Sequence, residues 1–103
     1  MEKNIPLYIN ATLRLYNGVE IPRLGLGVWR TGPGDETRKA VDFALHSGYR
    51  HIDTAHFYKN EKDVGAAFKQ SGLSRQDVFI TTKLWNEDHG YDRALRAFQE
   101  SLH

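Results

Sequence analysis

The alternation of apolar and polar positions predicts a β-hairpin near the amino terminus. Residues 12–16 read TLRLY, in which polar and apolar side chains alternate, and a second short run, VEI, leads to Pro22. Asn17 and Gly18 separate the two runs. Asn-Gly between alternating runs is the strongest short-range hairpin signal, because both positions of its favoured turn need a positive φ. We therefore predict a hairpin over about residues 12–22, and its polarity favours a cap on the fold over a place in a central sheet.

The rest of the chain alternates apolar runs with helical periodicity three times. The runs typical of strands are RLGLGVW at residues 23–29, YRHIDT at 49–54 and VFITTKLW at 78–85. Apolar residues recur at helical spacing after each run. Alternating strands and helices imply a parallel sheet with right-handed crossovers. The predicted fold class is therefore α/β, with a hairpin followed by three βα units over about residues 23–48, 49–73 and 78–103.

Cap and turn residues mark the predicted helix ends. Asp35 is a good N-cap for the first helix, and Gly48 stands where a left-handed C-terminal cap belongs. The second helix begins around Asn60 and closes at Gly72, and Ser74 then caps a short turn. These residues delimit the helices that cover the predicted sheet.

Three strands leave much of such a sheet uncovered. A parallel sheet normally has both faces covered and its edges protected, and this chain carries helices for one face only. The last helical stretch also lacks a stop signal. We therefore expect residues 1–103 to be the front part of one larger domain, and the chain by itself to be loosely packed or self-associating.

Composition narrows the class of protein further. Fourteen basic and thirteen acidic residues give a net charge of +1, so no charged stripe indicates a nucleic-acid or membrane-surface partner. The absence of cysteine excludes disulfides and thiolate metal sites. No apolar run is long enough to span a bilayer, and MEKNIPLYIN at the amino terminus is not typical of a secretory signal. We expect a cytoplasmic protein.

Candidate chemistry lies just past the ends of the predicted strands, where βα folds gather reactive groups. Asp53 and Lys83 end consecutive strands and can form an ion pair, and Tyr58 lies in the loop beside them. A nearby ammonium favours a phenolate and turns a tyrosine into a usable general acid. Carbonyl reduction needs such a proton together with a hydride, which only a cofactor such as nicotinamide supplies. An Asp–Lys pair at strand ends is more often structural, so the residues alone leave both interpretations open.

Several other residues have simpler interpretations. The GLG at residues 25–27 is no dinucleotide fingerprint because G-x-G-x-x-G is absent, and TGPG at residues 31–34 is typical of a plain loop. His56 and His89 are predicted to be exposed loop residues, and no histidine pair has metal-ligand spacing, so no metal is predicted. Trp29 and Trp85 suit a ligand pocket and a core equally.

Three segments together resemble the aldo-keto reductases. They are LGLGVWR, GYRHIDTAHFYKNEKDVG and FITTKLWNEDHGYD, in that order and with the family's gaps, and the small bacterial members that reduce aldehydes, dicarbonyls or keto sugars are the most similar. The resemblance implies a TIM-type (β/α)8 barrel whose base the hairpin plugs. It also implies NADPH bound extended across the carboxyl face of the barrel, without a Rossmann domain.

The same resemblance implies roles for individual residues. Tyr58 would be the proton donor, Lys83 the cation that makes it acidic, and Asp53 the group that orients Lys83. The residues implied beside the cofactor are Gly27, Val28, Trp29 and Asp53. The residues implied in the wall of the carbonyl pocket are Trp29, Phe57 and Trp85.

One part of the family's pattern does not occur in these residues. The family's catalytic histidine follows the fourth strand in an H-x-P context, and neither that motif nor the later cofactor-binding loops are present. The expected function is NADPH-dependent reduction of small-molecule aldehydes and ketones by a full-length monomer of which this chain is the N-terminal third. The alternatives are an inactive fragment of the barrel and a nucleotide-binding member of the fold without enzymatic activity.

Overall fold

A computed structural model of the protein describes residue 9 and residues 11–32 and 34–102. Residues 1–10, which we predict not to be a secretory signal, therefore lie outside the described residues, except for residue 9. Pro33 of the predicted loop and His103 at the end of the third predicted unit also lie outside them. No helix among the described residues combines the length and the apolar character that crossing a membrane requires.

The amino-terminal hairpin is present, with a turn of a different kind from the one predicted. Strands β1 (Thr12–Arg14) and β2 (Glu20–Pro22) pair in antiparallel fashion. Leu15 N donates to Val19 O at 2.7 Å, so the loop has three residues, and Gly18 at φ 88° is its one residue with a positive φ. The expectation of two such residues is wrong because a three-residue loop needs a left-handed conformation only at its last position.

The central sheet contains three parallel strands in the order β3 (Leu26–Gly27), β4 (His51–Asp53) and β5 (Phe79–Thr81). The register pairs Gly27 with Asp53, and Asp53 with Thr81. The strands are shorter than the predicted runs because those runs include buried residues of the connections. Val28 and Val78, for example, are core residues that lie just outside the strands.

Helices α1 (Asp35–His46), α2 (Glu61–Ser71) and α3 (Tyr91–Leu102) follow β3, β4 and β5 respectively. The predicted ends of α1 and α2 at Gly48 and Gly72 are confirmed, because both glycines have a positive φ. The prediction of Asp35 as N-cap is wrong, because Gly34 occupies that position and Asp35 is the first helical residue. Gly34 has no side chain to cap α1, and the N–H of Thr37 in the first turn donates instead to Gly32 O at 3.2 Å.

The hydrophobic core lies between one face of the sheet and helices α1 and α2. Its buried members are Val28, Val41, Leu45, Ile52, Val64, Ala67 and Val78. From α3 only Ala97 is buried, whereas Leu95, Phe98 and Leu102 leave half or more of their surface exposed. Among the described residues, the apolar face of α3 therefore does not pack as those of α1 and α2 do.

Candidate active site

An ion pair joins the carboxyl ends of β4 and β5. Asp53 is the last residue of β4, and Lys83 lies two residues beyond β5. Lys83 Nζ donates to Asp53 Oδ1 and, at 3.1 Å, to the carbonyl oxygen of Thr54. The pair expected from the strand order is thus present, and His56 N, which donates to Lys83 O at 3.2 Å, holds the two connections together behind it.

Stability does not explain this ion pair well. The side chains of Lys83 and Asp53 keep 47% and 42% of their surface exposed. Exposed pairs of this kind contribute only about 0–1 kcal/mol, because water screens the charges and holding long side chains costs entropy. The main consequence of the contact is therefore to hold one ammonium group at a defined place beside the next loop.

Tyr58 lies in that loop, within the 3₁₀ turn His56–Tyr58. Lys83 Nζ is 5.4 Å from the centroid of the Tyr58 ring. The ring is half-buried and packs against the edge of the core, and no hydrogen bond joins its hydroxyl to another described residue. Asp53, Lys83 and Tyr58 are therefore brought together, with the phenol hydroxyl free to meet a ligand.

The segment expected beside a cofactor has two accessible residues and one enclosed residue. Gly27 is exposed, and a Cβ at this position would meet no atom within 4 Å, so the backbone here is open to a neighbouring molecule. Trp29 is also exposed. Val28 between them is fully buried, with its N–H donating to Asp53 O at 3.1 Å and its carbonyl accepting from Thr31 and Asn60.

Two of the three predicted pocket aromatics meet. The rings of Phe57 and Trp85 lie 5.1 Å apart between centroids, with their planes tilted by 42°. Trp29 instead has the guanidinium of Arg30 at 4.7 Å from its ring. Phe57 and Trp85 thus form one apolar wall beside the ion pair, while Trp29 stands apart from it among the described residues.

The ion pair lies outside a concave region that the described residues form. A concave region of about 400 Å³ lies elsewhere, at the opposite end of the strands, where Pro22, Arg50 and Phe79 contribute to its lining. That region contains none of the residues singled out for chemistry. Concavity alone therefore does not identify the site.

Two further polar residues at this end of the fold, Asn60 and Glu61, make contacts that their local sequence does not predict. The sequence predicts that the second helix begins around Asn60, and Asn60 is the N-cap of α2. The amide of Asn60 nevertheless bonds to Thr54 and to the Val28 carbonyl. Glu61 accepts hydrogen bonds from Thr82 and from Ser101, the latter at 3.2 Å. The spacing in DTAHFYKNE was the only available signal, and it does not indicate where these side chains point.

The histidines near the site are peripheral to the ion pair. His56 is half-buried, with Nδ1 3.6 Å from Glu61 Oε1, and His89 is exposed. Within the described ranges, no three His, Asp or Glu residues form a group able to hold a metal ion. A phenol beside an ammonium, as in Tyr58 and Lys83, is an arrangement that can support proton transfer.

Comparison with known proteins finds a matching family model and similar proteins. The model of a family described as the aldo/keto reductase family matches residues 23–103. The glyoxal reductase of Bacillus subtilis is 49% identical over 98 residues, covering 95% of this chain and 36% of that protein. The chain thus spans about a third of the length of the curated relatives that it matches.

Solved structures agree with this match. The structure of an aldo/keto reductase from Brucella melitensis has a TM-score of 0.84 and 53% identity, covering 89% of this chain and 36% of that one. The structure of an aldo-keto reductase from Bombyx mori in complex with NADP has a TM-score of 0.81 and 40% identity, covering 89% of this chain and 33% of that one.

Proposed function

Because the chain belongs to the aldo/keto reductase family, we propose that the protein carrying it reduces aldehydes and ketones to alcohols with NADPH as the hydride source. Its α/β fold is a part of the (β/α)8 barrel of its structural neighbours, which confirms the predicted fold class. We also propose that residues 1–103 belong to a single barrel domain. The full-length protein would be a cytoplasmic monomer, with no nucleic-acid or membrane partner.

The contact of Lys83 with both Asp53 and the Tyr58 ring is the observation that carries this proposal. Carbonyl reduction adds a hydride to carbon and a proton to oxygen. Tyr58 is the proton donor in our proposal, because its hydroxyl is free of other partners within the described residues. An ammonium beside a phenol stabilises the phenolate that remains after proton transfer, and this is the role proposed for Lys83.

Asp53 acts on the reaction through Lys83. Its carboxylate, with the Thr54 carbonyl at 3.1 Å from Lys83 Nζ, provides two acceptors that aim the ammonium. A lysine on a flexible four-carbon stem needs such acceptors to hold its charge in one place. Asp53 is therefore an orienting group in this proposal and takes no proton.

A nicotinamide cofactor fits the accessible backbone at the end of β3. When bound, the cofactor supplies the hydride that no side chain can provide. Gly27 leaves open space where any other residue would place a Cβ, and it pairs with Asp53 across the sheet. We propose that residues 27–29, together with Asp53, border the nicotinamide. The NADP complex of the Bombyx mori protein supports the choice of cofactor.

The substrate proposed is a small carbonyl compound. Phe57 and Trp85 form an apolar wall near Lys83, and we propose that Trp29 completes it when cofactor and substrate are bound. Apolar walls with a few polar groups are typical of small-ligand sites. The relative from Bacillus subtilis, a glyoxal reductase, makes small aldehydes the first substrates to assay.

Replacement of Tyr58 by Phe tests the proposal. We expect Tyr58→Phe in the full-length native protein to lower kcat for a small aldehyde by about 10²- to 10⁴-fold, because a general acid contributes that much. Binding of NADPH, followed by fluorescence, should stay unchanged. The matched control is Tyr91→Phe, which removes the hydroxyl of an exposed tyrosine on α3 and should leave kcat unaltered.

The same assay separates the alternatives. Turnover retained by Tyr58→Phe would refute the role of Tyr58 as proton donor. NADPH binding without oxidation in the wild-type protein would favour a nucleotide-binding member of the fold, and the absence of both would favour an inactive fragment.

A further inference from the structure

Asn60 is a buried polar residue. Its position at the start of α2 does not explain why its side chain is an amide. Its exposed fraction is 1%, and it is the N-cap of α2. N-cap asparagines are favoured because the side-chain oxygen accepts a hydrogen bond from the first turn. Here the side chain makes no such bond, and only the backbone carbonyl accepts from Asp63 and Val64. The amide is thus available for another purpose.

That amide joins two different connections of the fold. Asn60 Oδ1 accepts from Thr54 Oγ1 at 2.7 Å, and Asn60 Nδ2 donates to Val28 O at 2.9 Å. A weaker contact of 3.3 Å links Nδ2 to Thr31 Oγ1. Because a backbone carbonyl can only accept, the orientation of the amide is determined, and both a donor and an acceptor are needed at this position.

The groups at each end of this bridge belong to the proposed site. Val28 lies between Gly27 and Trp29, which border the proposed cofactor site. Thr54 follows Asp53, and its carbonyl accepts a hydrogen bond from Lys83 Nζ. The Asn60 amide therefore couples the segment after β3 to the segment that positions the lysine.

Two strained backbone positions lie next to residues of this hydrogen-bond network. Among described residues other than glycine, Arg30 at φ 66° and Lys59 at φ 59° are the ones with a positive φ. Lys59 directly precedes Asn60, and Arg30 directly precedes Thr31. Such conformations persist only when surrounding contacts fix them, and they cluster at functional sites. The bonds from Asn60 to Val28 and Thr31 flank Arg30, and Asn60 itself follows Lys59 and is held by Thr54.

We propose that Asn60 and Thr54 are positioning residues that set the placement of Tyr58 and Lys83 relative to residues 27–29. The proposal rests on the reductase function proposed above. Loss of either partner would loosen the loop that contains Tyr58 without removing a group that contacts substrate or cofactor. A displacement of about 1 Å in such a site can lower the rate by about 10²-fold.

Three variants of the full-length native protein test this role. Thr54→Val removes the hydroxyl donor and keeps the shape, Asn60→Asp removes the amide donor facing Val28 O, and Thr54→Ser retains the hydroxyl. We expect kcat per mole of bound NADPH to fall by about 10- to 100-fold for the first two and to stay near wild type for Thr54→Ser. The control for loss of a hydroxyl hydrogen bond is Ser71→Ala, at the far end of α2, which should leave this ratio unchanged.

Normalisation to bound NADPH distinguishes positioning from folding. A merely structural role would lower the amount of binding-competent protein and leave kcat per bound cofactor at the wild-type value, which would overturn the proposal. Hydrogen–deuterium exchange provides a readout independent of activity, because the amides of residues 28–31 and 58–60 should exchange faster in Thr54→Val than in Thr54→Ser. Equal exchange in these two variants would also overturn it. If the wild type reduces no aldehyde, the proposed function fails, whereas the exchange data still decide whether the bridge holds the loops.

Discussion

Two glycines of α2 illustrate how much a single position can depend on its backbone conformation. Gly72 ends the helix at φ 78°, a left-handed conformation that costs other residues free energy. Gly65 lies inside the helix, and a Cβ added there would have no side chain or other element within 4 Å. The same replacement by alanine should therefore have opposite effects at the two positions.

We expect Gly72→Ala to lower the free energy of unfolding by about 1–2 kcal/mol, because alanine is strained in the left-handed conformation. Gly65→Ala should raise it by about 0.5–1 kcal/mol, because alanine loses less backbone entropy in a helix. Urea denaturation of the two variants measures both changes. A loss of stability in Gly65→Ala would show that neighbouring groups crowd the Cβ position of residue 65.

Some side-chain contacts can be predicted from the sequence, and others depend on where a side chain points in the folded structure. Asp53 and Lys83 were predicted as a pair because parallel strand order alone places the ends of neighbouring strands side by side. Asn60 was interpreted as a helix start because its local sequence is consistent with that role. Its amide reaches Val28, which is 32 residues away, and no local pattern reports such a contact.

Helices α1 and α2 are linked by a carboxylate as well as by their apolar faces. Asp63 Oδ2 accepts from Gly34 N at 2.9 Å, and Asp63 Oδ1 lies 3.7 Å from Arg38 Nη1. Arg38 also bonds Asp35, and this hydrogen bond holds the pKa of the Asp35 carboxyl below its usual value. Asp63, with 15% of its side chain exposed, thus provides a side-chain acceptor at the start of α1, where the N-cap Gly34 has no side chain of its own.

Asp63→Ala should lower the free energy of unfolding by about 1–2 kcal/mol, because the part-buried N–H of Gly34 at the start of α1 loses its acceptor. Asp42→Ala is the matched control, since Asp42 forms only an exposed pair with His46 within α1. Its effect should stay within about 0.5 kcal/mol. Thermal melts of both variants measure the difference, and equal melting temperatures would mean that Asp63 does not anchor α1.

On the scale of the whole molecule, the sheet has two unequal faces. Ile52 and Ile80 face α1 and α2, whereas His51, Phe79 and Thr81 lie on the opposite face. On that face a hydrogen bond of 2.9 Å joins His51 Nε2 and Thr81 Oγ1. The His51 ring also packs edge-on against the Phe79 ring, with the two centroids 5.2 Å apart. Strand β2 reaches this face, where the Pro22 carbonyl oxygen lies 3.2 Å from His51 Nδ1, and no helix among the described residues packs on it. The apolar stripe of α3 is also exposed.

The 103-residue chain produced on its own should therefore self-associate. The exposed Leu95, Phe98 and Leu102 form a stripe along α3 that monomeric soluble proteins rarely leave uncovered. Light scattering on a gel-filtration eluate measures the mass, and Phe98→Glu should shift it towards the monomer. A monomer with a sharp two-state melt would show that the sheet is complete enough without a further layer.

The pattern of residues along the chain is enough to predict the order of the elements, the α/β class and the proximity of Asp53 to Lys83. Periodicity, turn residues and parallel strand order are local or topological properties, so they can be read along the chain. The tertiary structure alone decided the length of each strand, the bareness of α3, the separation of Trp29 from Phe57 and Trp85, and the bridge formed by Asn60. These features depend on which distant groups compete for each side chain and each backbone carbonyl, and that competition is settled only when the chain is packed.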